Sequence, residues 1–389
     1  MNVPRTGTLV VKTADATLDV VMRDQLRHLR GTSLAPITIA AGDTGRLARV
    51  AAREGVPARA LGLARDPSPV NDLRALLELV RLLRELRPEV IVYGTPKATL
   101  LAGLAARFTG VPTRVQVLHG LRLETARGLA RRALLAVERL SIALSTETLA
   151  VGPGLRRRCA ELGLPVDRID VLGAGSVVGT DVPAAKTIGA DRALRDRVRA
   201  SWSVRPDEFV VGFVGRVTRD KGVETLTRAV ADLRAGGVPA RLVLVGLDEG
   251  IHDLDRDVRE HLGSGWVTMT GNVDDPAECY AGFDTFCLPS HREGLPTVVL
   301  EAWATAVPVV ASDCTGLGDL VDDGDTGLVV AVGDQAATAS ALDRLARDPE
   351  LRRTLAAAGQ RRAEADFDRP VVWAAFTRYV ERARAAHRR

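Results

Sequence analysis

The chain alternates between short apolar runs and longer segments whose apolar residues recur at helical spacing. Strand-like runs occur at Thr8–Val11, Ile37–Ala40 and Glu89–Gly94. Between them lie an amphipathic stretch, Leu18–Leu29, and a longer one, Asp72–Leu86, which ends before a proline. An alternation of this kind predicts parallel sheets covered by helices.

A second series of apolar runs begins at Glu208–Val214. It follows Gly179–Ala190, a segment rich in Ala, Pro, Gly and Thr that lacks apolar periodicity and that we interpret as a linker. The chain has 389 residues with 46% hydrophobic content, which is more than one core usually organises. We therefore predict two Rossmann-like α/β domains, 1–185 and 186–366, and a C-terminal helix, 367–389, that packs back on them.

Composition narrows the class of protein. No run of about 18 apolar residues is present, so we expect no membrane-spanning segment. Met1–Gly7 lacks the apolar core of a signal peptide, which predicts a cytoplasmic protein. The four cysteines show no C-x-x-C spacing, so neither a disulfide framework nor a zinc site is expected.

Charge is unevenly distributed along the chain. Residues 1–190 carry 27 Lys and Arg against 17 Asp and Glu, whereas the remainder carries 26 against 32. The basic first half suggests an anionic partner: nucleic acid, a lipid surface or a phosphorylated substrate. A merely solvated, arginine-rich surface is the alternative.

The first candidate binding motif follows an apolar run, Val211–Val214. The run ends at Gly215, where a missing side chain lets the backbone approach a ligand. Arg216 comes next, and Lys221 lies near the start of the following helix. Together the two cations could neutralise a diphosphate, helped by the helix N-terminus. Two solvated loop cations are the alternative.

The second motif pairs two carboxylates. A strand ends near Leu288, a loop carries Glu293, and a helix opens around Pro296 or Thr297, with Glu301 one turn further on. Both carboxylates can approach one crevice and accept hydrogen bonds from sugar hydroxyls. The free backbone N–H groups that would meet an anion there belong to Gly294, Leu295 and Thr297. A surface salt bridge is the alternative.

Two further segments favour less specific interpretations. Asp253–Asp257 contains a D-x-D pattern, which we interpret as a solvated helix start and not as a metal site. Leu155–Cys159 is rich in arginine, but no aromatic residues interleave with it. We therefore interpret it as one face of a helix, and we expect no nucleic-acid partner.

Together these motifs resemble a known family. The Gly215-Arg216…Lys221-Gly222 and Glu293-x7-Glu301 pairs are similar to the signature of the family 4 retaining glycosyltransferases. That family has the GT-B fold, in which two Rossmann-like domains face each other across a cleft. The resemblance continues through three later segments: Thr270–Val273, Ala306–Ala311 and Asp323–Val330.

The resemblance implies roles for the donor-site residues. Arg216 and Lys221 would hold the diphosphate of a nucleotide-sugar donor and stabilise the leaving group without a metal or other cofactor. Glu301 would hold the ribose, and Glu293 the hydroxyls of the transferred sugar. The backbone close to the sugar and phosphate would be that of Gly294, Leu295 and Pro296.

The first half resembles the branch of this family that elongates polyprenyl-diphosphate-linked sugars in surface-polysaccharide assembly. The segments that carry this resemblance are Tyr93–Ala98, Leu118–Glu124 and Gly173–Ser176. It implies an acceptor-binding first domain, with His119 as a catalytic residue where acceptor meets donor. The cations that could meet an acceptor diphosphate or lipid head groups are Lys97, Arg122 and Arg127. The chain departs from the branch at Val177–Asp181 and Cys314–Asp319.

The sequence therefore predicts a retaining hexosyltransferase that moves a hexose or N-acetylhexosamine from a UDP-sugar to a hydroxyl. The acceptor would be a polyprenyl-diphosphate sugar, with the protein peripheral on an anionic inner membrane face. Alternatives are a soluble natural-product acceptor, a nucleotide-sugar epimerase, or a non-catalytic nucleotide-sugar-binding protein.

Overall fold

The computed structural model describes residues 5–64, 68–124, 126–273 and 275–387. These residues form two compact units. The first contains the chain up to Val178 together with the chain from Val372, and the second is Gly179–Val371. The first four residues, part of the segment in which we expected no signal peptide, lie outside the described residues.

The first unit is built on a parallel sheet. Its described strands are β1 (Thr8–Ala14), β2 (Ile37–Gly42), β3 (Ala58–Ala60), β4 (Val90–Gly94), β5 (Thr113–Leu118), β6 (Glu147–Ala150) and β7 (Ile169–Asp170). They lie in the order β3-β2-β1-β4-β5-β6-β7. The direction in which successive strands are added therefore reverses between β1 and β4. In parallel α/β sheets, ligands bind at the carboxyl ends of the strands beside such a reversal.

Helices connect these strands. They are α1 (Gln25–Arg30), α2 (Leu47–Glu54), α3 (Pro69–Leu86), α4 (Pro96–Phe108), α5 (Gly128–Leu144) and α6 (Pro153–Glu161). The amphipathic stretch predicted at Leu18–Leu29 is not one helix: a π-helical turn, Thr17–Val21, is separated from α1 by Asp24, whose φ is 64°. A left-handed residue interrupts helical hydrogen bonding, which periodicity alone does not reveal.

The second unit repeats this plan. Its described strands are β8 (Phe209–Val214), β9 (Ala240–Val245), β10 (Val267–Gly271), β11 (Thr285–Leu288), β12 (Val309–Ser312) and β13 (Leu328–Val330), in the order β10-β9-β8-β11-β12-β13. All are parallel, and every residue of β8 and β9 is buried, as expected for strands covered on both faces. The strand order reverses between β8 and β11.

The helices of the second unit begin in the predicted linker. They are α7 (Val182–Ala190), α8 (Arg192–Ser201), α9 (Val223–Ala235), α10 (Arg256–Leu262), α11 (Thr297–Ala304), α12 (Gln335–Arg347) and α13 (Pro349–Arg362). The linker interpretation of Gly179–Ala190 is wrong, because most of that segment is α7. The carboxylate of Asp181 caps α7 by accepting a hydrogen bond from the Ala184 amide, and Pro183 lies in its first turn.

The last helix, α14 (Arg369–His387), carries the chain back to the first unit. The Trp373 indole N–H donates to the Val178 carbonyl at 2.7 Å, and the Tyr379 hydroxyl lies 2.9 Å from Asp170. Arg384 donates to the Ser33 carbonyl at 2.6 Å. Nowhere in the described ranges is a helix long and apolar enough to cross a membrane.

Candidate functional site

Three loops meet at the carboxyl ends of β8, β11 and β12. The backbone of Gly222 presses against the loop after β11: a Cβ there would lie 1.9 Å from the Pro289 carbonyl oxygen, and the φ of Gly222 is +72°. Likewise, a Cβ on Gly316 would lie 2.3 Å from the Gly294 carbonyl oxygen. The Glu293 amide donates to the Thr315 carbonyl at 3.0 Å. Glycine is therefore required at these crossings, which hold the loops together.

Lys221 and Glu293 lie in direct contact at this crossing. The Lys221 ammonium is 2.7 Å from Glu293 Oε1, and the Ser290 hydroxyl donates to the same oxygen at 2.8 Å. Lys221 belongs to a short 3-10 turn, Arg219–Lys221, just before α9. The sequence assigned these two side chains to different parts of a donor, whereas the structure pairs them with each other. A charge-assisted contact of this kind orients both groups.

Arg216 projects beyond β8, as the sequence predicts, and lies among acidic groups. Its guanidinium is 3.2 Å from Glu249 and 3.8 Å from Asp220. Gly215 precedes it with a φ of +151°, and a Cβ on Gly246 would lie 1.9 Å from the Gly215 carbonyl oxygen. The two adjacent strand ends therefore approach closely beneath Arg216.

Asp220 is a connecting residue that the sequence did not reveal. Its carboxylate accepts a 2.6 Å hydrogen bond from the Thr218 hydroxyl and lies 3.4 Å from Arg292. Its carbonyl accepts from the His291 amide at 2.9 Å. Burial acts to raise the pKa of Asp220, but the Thr218 hydrogen bond and the neighbouring cations outweigh it, so the pKa lies below its usual value.

Glu301 lies on α11, with Pro296 at the N-cap and Thr297 as the first helical residue, as predicted. Gly294 and Leu295 form the approach to this helix. The Tyr280 hydroxyl donates to Glu301 Oε2 at 2.8 Å. Burial raises the pKa of Glu301 to about 7, against the opposing effect of this hydrogen bond. Tyr280 belongs to a 3-10 turn, Pro276–Gly282, and was not a sequence-predicted site residue.

In the first unit, His119 follows β5 and its ring lies against Gly94. A Cβ on Gly94 would lie 3.0 Å from both Cδ2 and Nε2 of the ring. The Lys12 ammonium, on β1, is 3.2 Å from His119 Nε2. Burial, and then the charge of Lys12, hold the pKa of His119 well below its usual value, so the imidazole is neutral at pH 7. Lys12 was not a sequence-predicted site residue.

The other cations predicted for the acceptor lie on three different elements of the first unit. Lys97 forms a 2.7 Å ion pair with Asp72. Arg122 is exposed in a 3-10 turn, Arg122–Glu124, and Arg127 is exposed at the N-cap of α5. Their acceptor role stays a prediction.

The D-x-D segment is a charged surface next to α10. Asp255, at the N-cap of α10, and Asp257, in its first turn, both pair with Arg228 at 2.7 Å. Asp255 also lies 3.1 Å from Arg219. Across the described residues, no group of three or more His, Cys, Asp or Glu side chains is arranged as a metal site. The arginine-rich segment 155–159 lies on α6.

Models of two glycosyltransferase domains match the chain. The family described as "Glycosyl transferases group 1" matches residues 195–362, and the "Glycosyl transferase 4-like domain" matches residues 17–175. A "Capsular polysaccharide biosynthesis glycosyltransferase CapM" from Staphylococcus aureus is 30% identical over 355 residues, which cover 91% of each chain. This chain belongs to the group 1 glycosyltransferases. The resemblance to the GT-B family 4 glycosyltransferases is thereby confirmed, and retention of configuration stays a prediction.

Two further relatives are named for the transfer of different sugars. The "Alpha-D-kanosaminyltransferase" of Streptomyces kanamyceticus is 29% identical over 296 residues, 71% of this chain and 72% of that one. The "UDP-Gal:alpha-D-GlcNAc-diphosphoundecaprenol alpha-1,3-galactosyltransferase" of Escherichia coli is 24% identical over 294 residues, 74% of each.

Among solved structures, Anabaena Alr3699/HepE in complex with UDP and glucose superposes with a TM-score of 0.81 at 19% identity. The match covers 97% of this glycosyltransferase and all of that chain. At this identity the similarity shows the fold. The predicted GT-B fold, built from two Rossmann-like domains, is confirmed.

Proposed function

We propose that this glycosyltransferase moves a hexose or N-acetylhexosamine from a UDP-sugar, with retention of configuration, to a hydroxyl of a polyprenyl-diphosphate-linked sugar in cell-surface polysaccharide biosynthesis. The proposal of a UDP-sugar donor rests on the close approach of two loops, which brings the Lys221 ammonium against the Glu293 carboxylate next to α11. It combines a cation for a diphosphate with a carboxylate for sugar hydroxyls.

In this proposal, Arg216 and Lys221 neutralise the charge that develops on the diphosphate when the bond to the sugar breaks. No metal is required for that role. Glu293 accepts hydrogen bonds from the sugar, and Glu301 from the ribose. Because Lys221 and Glu293 are paired with each other, a bound donor would insert its phosphate and sugar hydroxyl next to a cation and a carboxylate that are already oriented.

Support for the donor and acceptor comes from the named relatives. The Anabaena structure holds UDP and glucose, and the name of the E. coli relative gives a UDP-sugar donor and a diphosphoundecaprenol-linked acceptor. The S. aureus relative is named for capsular polysaccharide biosynthesis and matches nearly the whole chain. A soluble small-molecule acceptor is the second candidate, since the name of the S. kanamyceticus relative gives a transferred sugar and no lipid-linked acceptor.

One transfer assay separates the two acceptors. The protein is incubated with radiolabelled UDP-sugars and bacterial membrane extract, and the products are partitioned between butanol and water. We expect label in the butanol-soluble lipid. Label found only in a water-soluble product would exclude the polyprenyl acceptor and support the second candidate. Conversion of the UDP-sugar in the absence of any acceptor would instead indicate an epimerase or a hydrolase.

A surface on α3 supports a peripheral position on an anionic membrane. Val70, Leu73 and Leu77 are exposed, and exposed Arg74 and Arg81 lie on the same helical face. Apolar side chains combined with arginine suit the interface of a membrane that contains anionic lipid. Binding to phosphatidylglycerol vesicles, measured by sedimentation, is expected to fall when Leu73 and Leu77 are both replaced by glutamate. Unchanged binding would exclude this surface as the site of membrane binding.

Affinity for the donor should rise with pH because of Glu301. Its pKa of about 7 means that the carboxyl becomes ionised between about pH 6 and pH 8, and an ionised carboxylate is the stronger acceptor for ribose hydroxyls. We expect UDP-sugar affinity, measured by calorimetry, to increase roughly five- to tenfold over that range. A UDP-sugar is used because its diphosphate does not titrate there.

Variants separate this effect from other titrations. Glu301→Gln is expected to bind the donor weakly and without the pH dependence, whereas Glu260→Gln, which alters an exposed glutamate, should behave like the unmodified protein. The pKa of Glu301 is raised in the folded protein, so stability is greatest below the unfolded-state pKa and falls as pH rises through about 7. Between the unfolded-state pKa and about pH 7, Glu301→Gln should therefore lose less thermal stability than the unmodified protein. If the donor affinity of Glu301→Gln kept the pH dependence of the unmodified protein, Glu301 would be excluded from the donor site.

A further inference from the structure

Lys12 is a buried cation in the middle of an apolar sheet. It lies on β1 and is 3% exposed. Only four of the 53 Lys and Arg residues in this chain are lysines. A chain that otherwise uses arginine for its positive charges thus places one of its few lysines at the centre of the first unit, next to His119.

The surroundings of Lys12 leave its charge without a carboxylate. Within the described ranges, Lys12 forms no ion pair, and its one hydrogen-bond partner is His119 Nε2 at 3.2 Å. Because an ammonium only donates, Nε2 accepts and the proton of the neutral ring lies on Nδ1. The ammonium then keeps two hydrogens for another acceptor. Burial lowers the pKa of Lys12 to about 8, so the side chain is still mostly charged at pH 7.

The position of the pair suits an anionic ligand. Lys12 and His119 lie at the carboxyl ends of β1 and β5, with Gly94 of β4 against the His119 ring. The strand order reverses between β1 and β4, the place where open α/β sheets bind ligands. Next to it, the Thr13 and Thr95 hydroxyls are 2.7 Å apart, and α4 begins directly after Thr95. A buried charge of this kind is costly unless a ligand of opposite charge compensates it.

We propose that Lys12 and His119 form a binding site in the first unit for a phosphoryl group of a substrate. Lys12 supplies the charge, and the His119 ring fixes the position of its ammonium. The inference rests on the proposed function, because both proposed substrates carry a diphosphate. It replaces Lys97 as the leading acceptor-site cation, since Lys97 is already paired with Asp72.

The first test compares Lys12→Gln with the control Lys186→Gln, which removes a partly exposed lysine, paired with Glu364, from the second unit. Calorimetry measures the affinity of the full chain for farnesyl diphosphate and, separately, for UDP-glucose. We expect Lys12→Gln to weaken the binding of farnesyl diphosphate about ten- to hundredfold, which is the effect of losing one charge-assisted contact. The affinity for UDP-glucose should be unchanged. If UDP-glucose binding alone were weakened, the assignment of this site to the acceptor would be overturned. Two affinities that are both unchanged would overturn the proposal.

A second measurement is made on the unmodified chain, so its result does not depend on how Lys12→Gln folds. With [13C]lysine, the ε-carbons of the four lysines give a simple spectrum, in which Lys12→Gln or the other three lysine variants identify the Lys12 signal. Saturation with farnesyl diphosphate should shift that signal, whereas UDP-glucose should leave it in place. If the signal stays in place in the presence of saturating farnesyl diphosphate, Lys12 is not at the binding site.

The two proposals fail in different ways. If UDP-sugars do not bind the unmodified chain at all, the proposed function fails, while farnesyl diphosphate still tests Lys12. If the UDP-sugar binds and its affinity depends on Glu301, but farnesyl diphosphate does not move the Lys12 signal, the proposed function stands and the phosphoryl site of the first unit is excluded.

Discussion

Replacing Lys221 by glutamine is expected to lower kcat/KM for sugar transfer by about 10²–10³-fold, the loss seen when one preorganised group that stabilises transition-state charge is removed. Lys221 would meet the diphosphate as the sugar leaves, and charge on the leaving group grows only as that bond breaks. The loss should therefore appear mainly in kcat, with a smaller change in KM. Steady-state transfer of labelled sugar measures both constants.

The contact between Lys221 and Glu293 calls for a second variant in this experiment. Removing the lysine also leaves the Glu293 carboxylate with Ser290 as its remaining hydrogen-bond donor among the contacts described above. A double-mutant cycle with Glu293→Gln separates the two effects, and we expect the double variant to be less impaired than the sum of the single losses. Lys186→Gln is the control. A Lys221→Gln enzyme within about fivefold of the control would exclude Lys221 from stabilising the leaving group.

Replacing Gly222 by alanine should both destabilise the second unit and abolish donor binding. The new Cβ would lie 1.9 Å from the Pro289 carbonyl oxygen, and the φ of +72° is strained for alanine. Left-handed strain costs about 1–3 kcal/mol, and a forced backbone shift costs a similar amount. The loop that carries Glu293 would have to move away from Lys221. Thermal denaturation and UDP-sugar calorimetry measure the two consequences.

Gly237→Ala is a matched control for Gly222→Ala. Gly237 has a φ of +86°, but nothing lies within 4 Å of the position of its Cβ. It therefore reports the cost of left-handed backbone alone. We expect a moderate loss of stability with unchanged donor affinity in Gly237→Ala. If Gly222→Ala lost no more stability and donor affinity than Gly237→Ala, the close approach to Pro289 would not be what holds the two loops together.

Much of the fold was predictable because parallel strands are marked by local signals. The apolar runs at Thr8–Val11 and Ile37–Ala40 correspond to β1 and β2. The segment 179–190 was misread because α7 has little apolar periodicity. Its composition serves close packing instead: a Cβ on Gly189 would lie 2.3 Å from the Thr305 carbonyl oxygen. Such a contact depends on a residue more than a hundred positions away, which no local pattern records.

In the candidate site too, some residues were predictable from local signals and others were not. Glu293 and Glu301 could be placed on a loop and a helix because proline and strand-end signals are local. The pairing of Lys221 with Glu293 and the hydrogen bond from Tyr280 to Glu301 depend on tertiary packing. Lys12 was missed for a different reason, since a single lysine within an apolar run gives no indication that its ammonium is buried against His119.

The return of α14 to the first unit imposes an order on folding during synthesis. Val178 and Asp170 leave the ribosome before any of the second unit, yet their partners Trp373 and Tyr379 emerge only after all of it. The nascent first unit must therefore remain incomplete, with the surface for α14 uncovered, throughout translation of the second. Chaperone binding to ribosome-bound chains should consequently persist until α14 has emerged, and a stop codon before residue 372 should leave the first unit prone to aggregation.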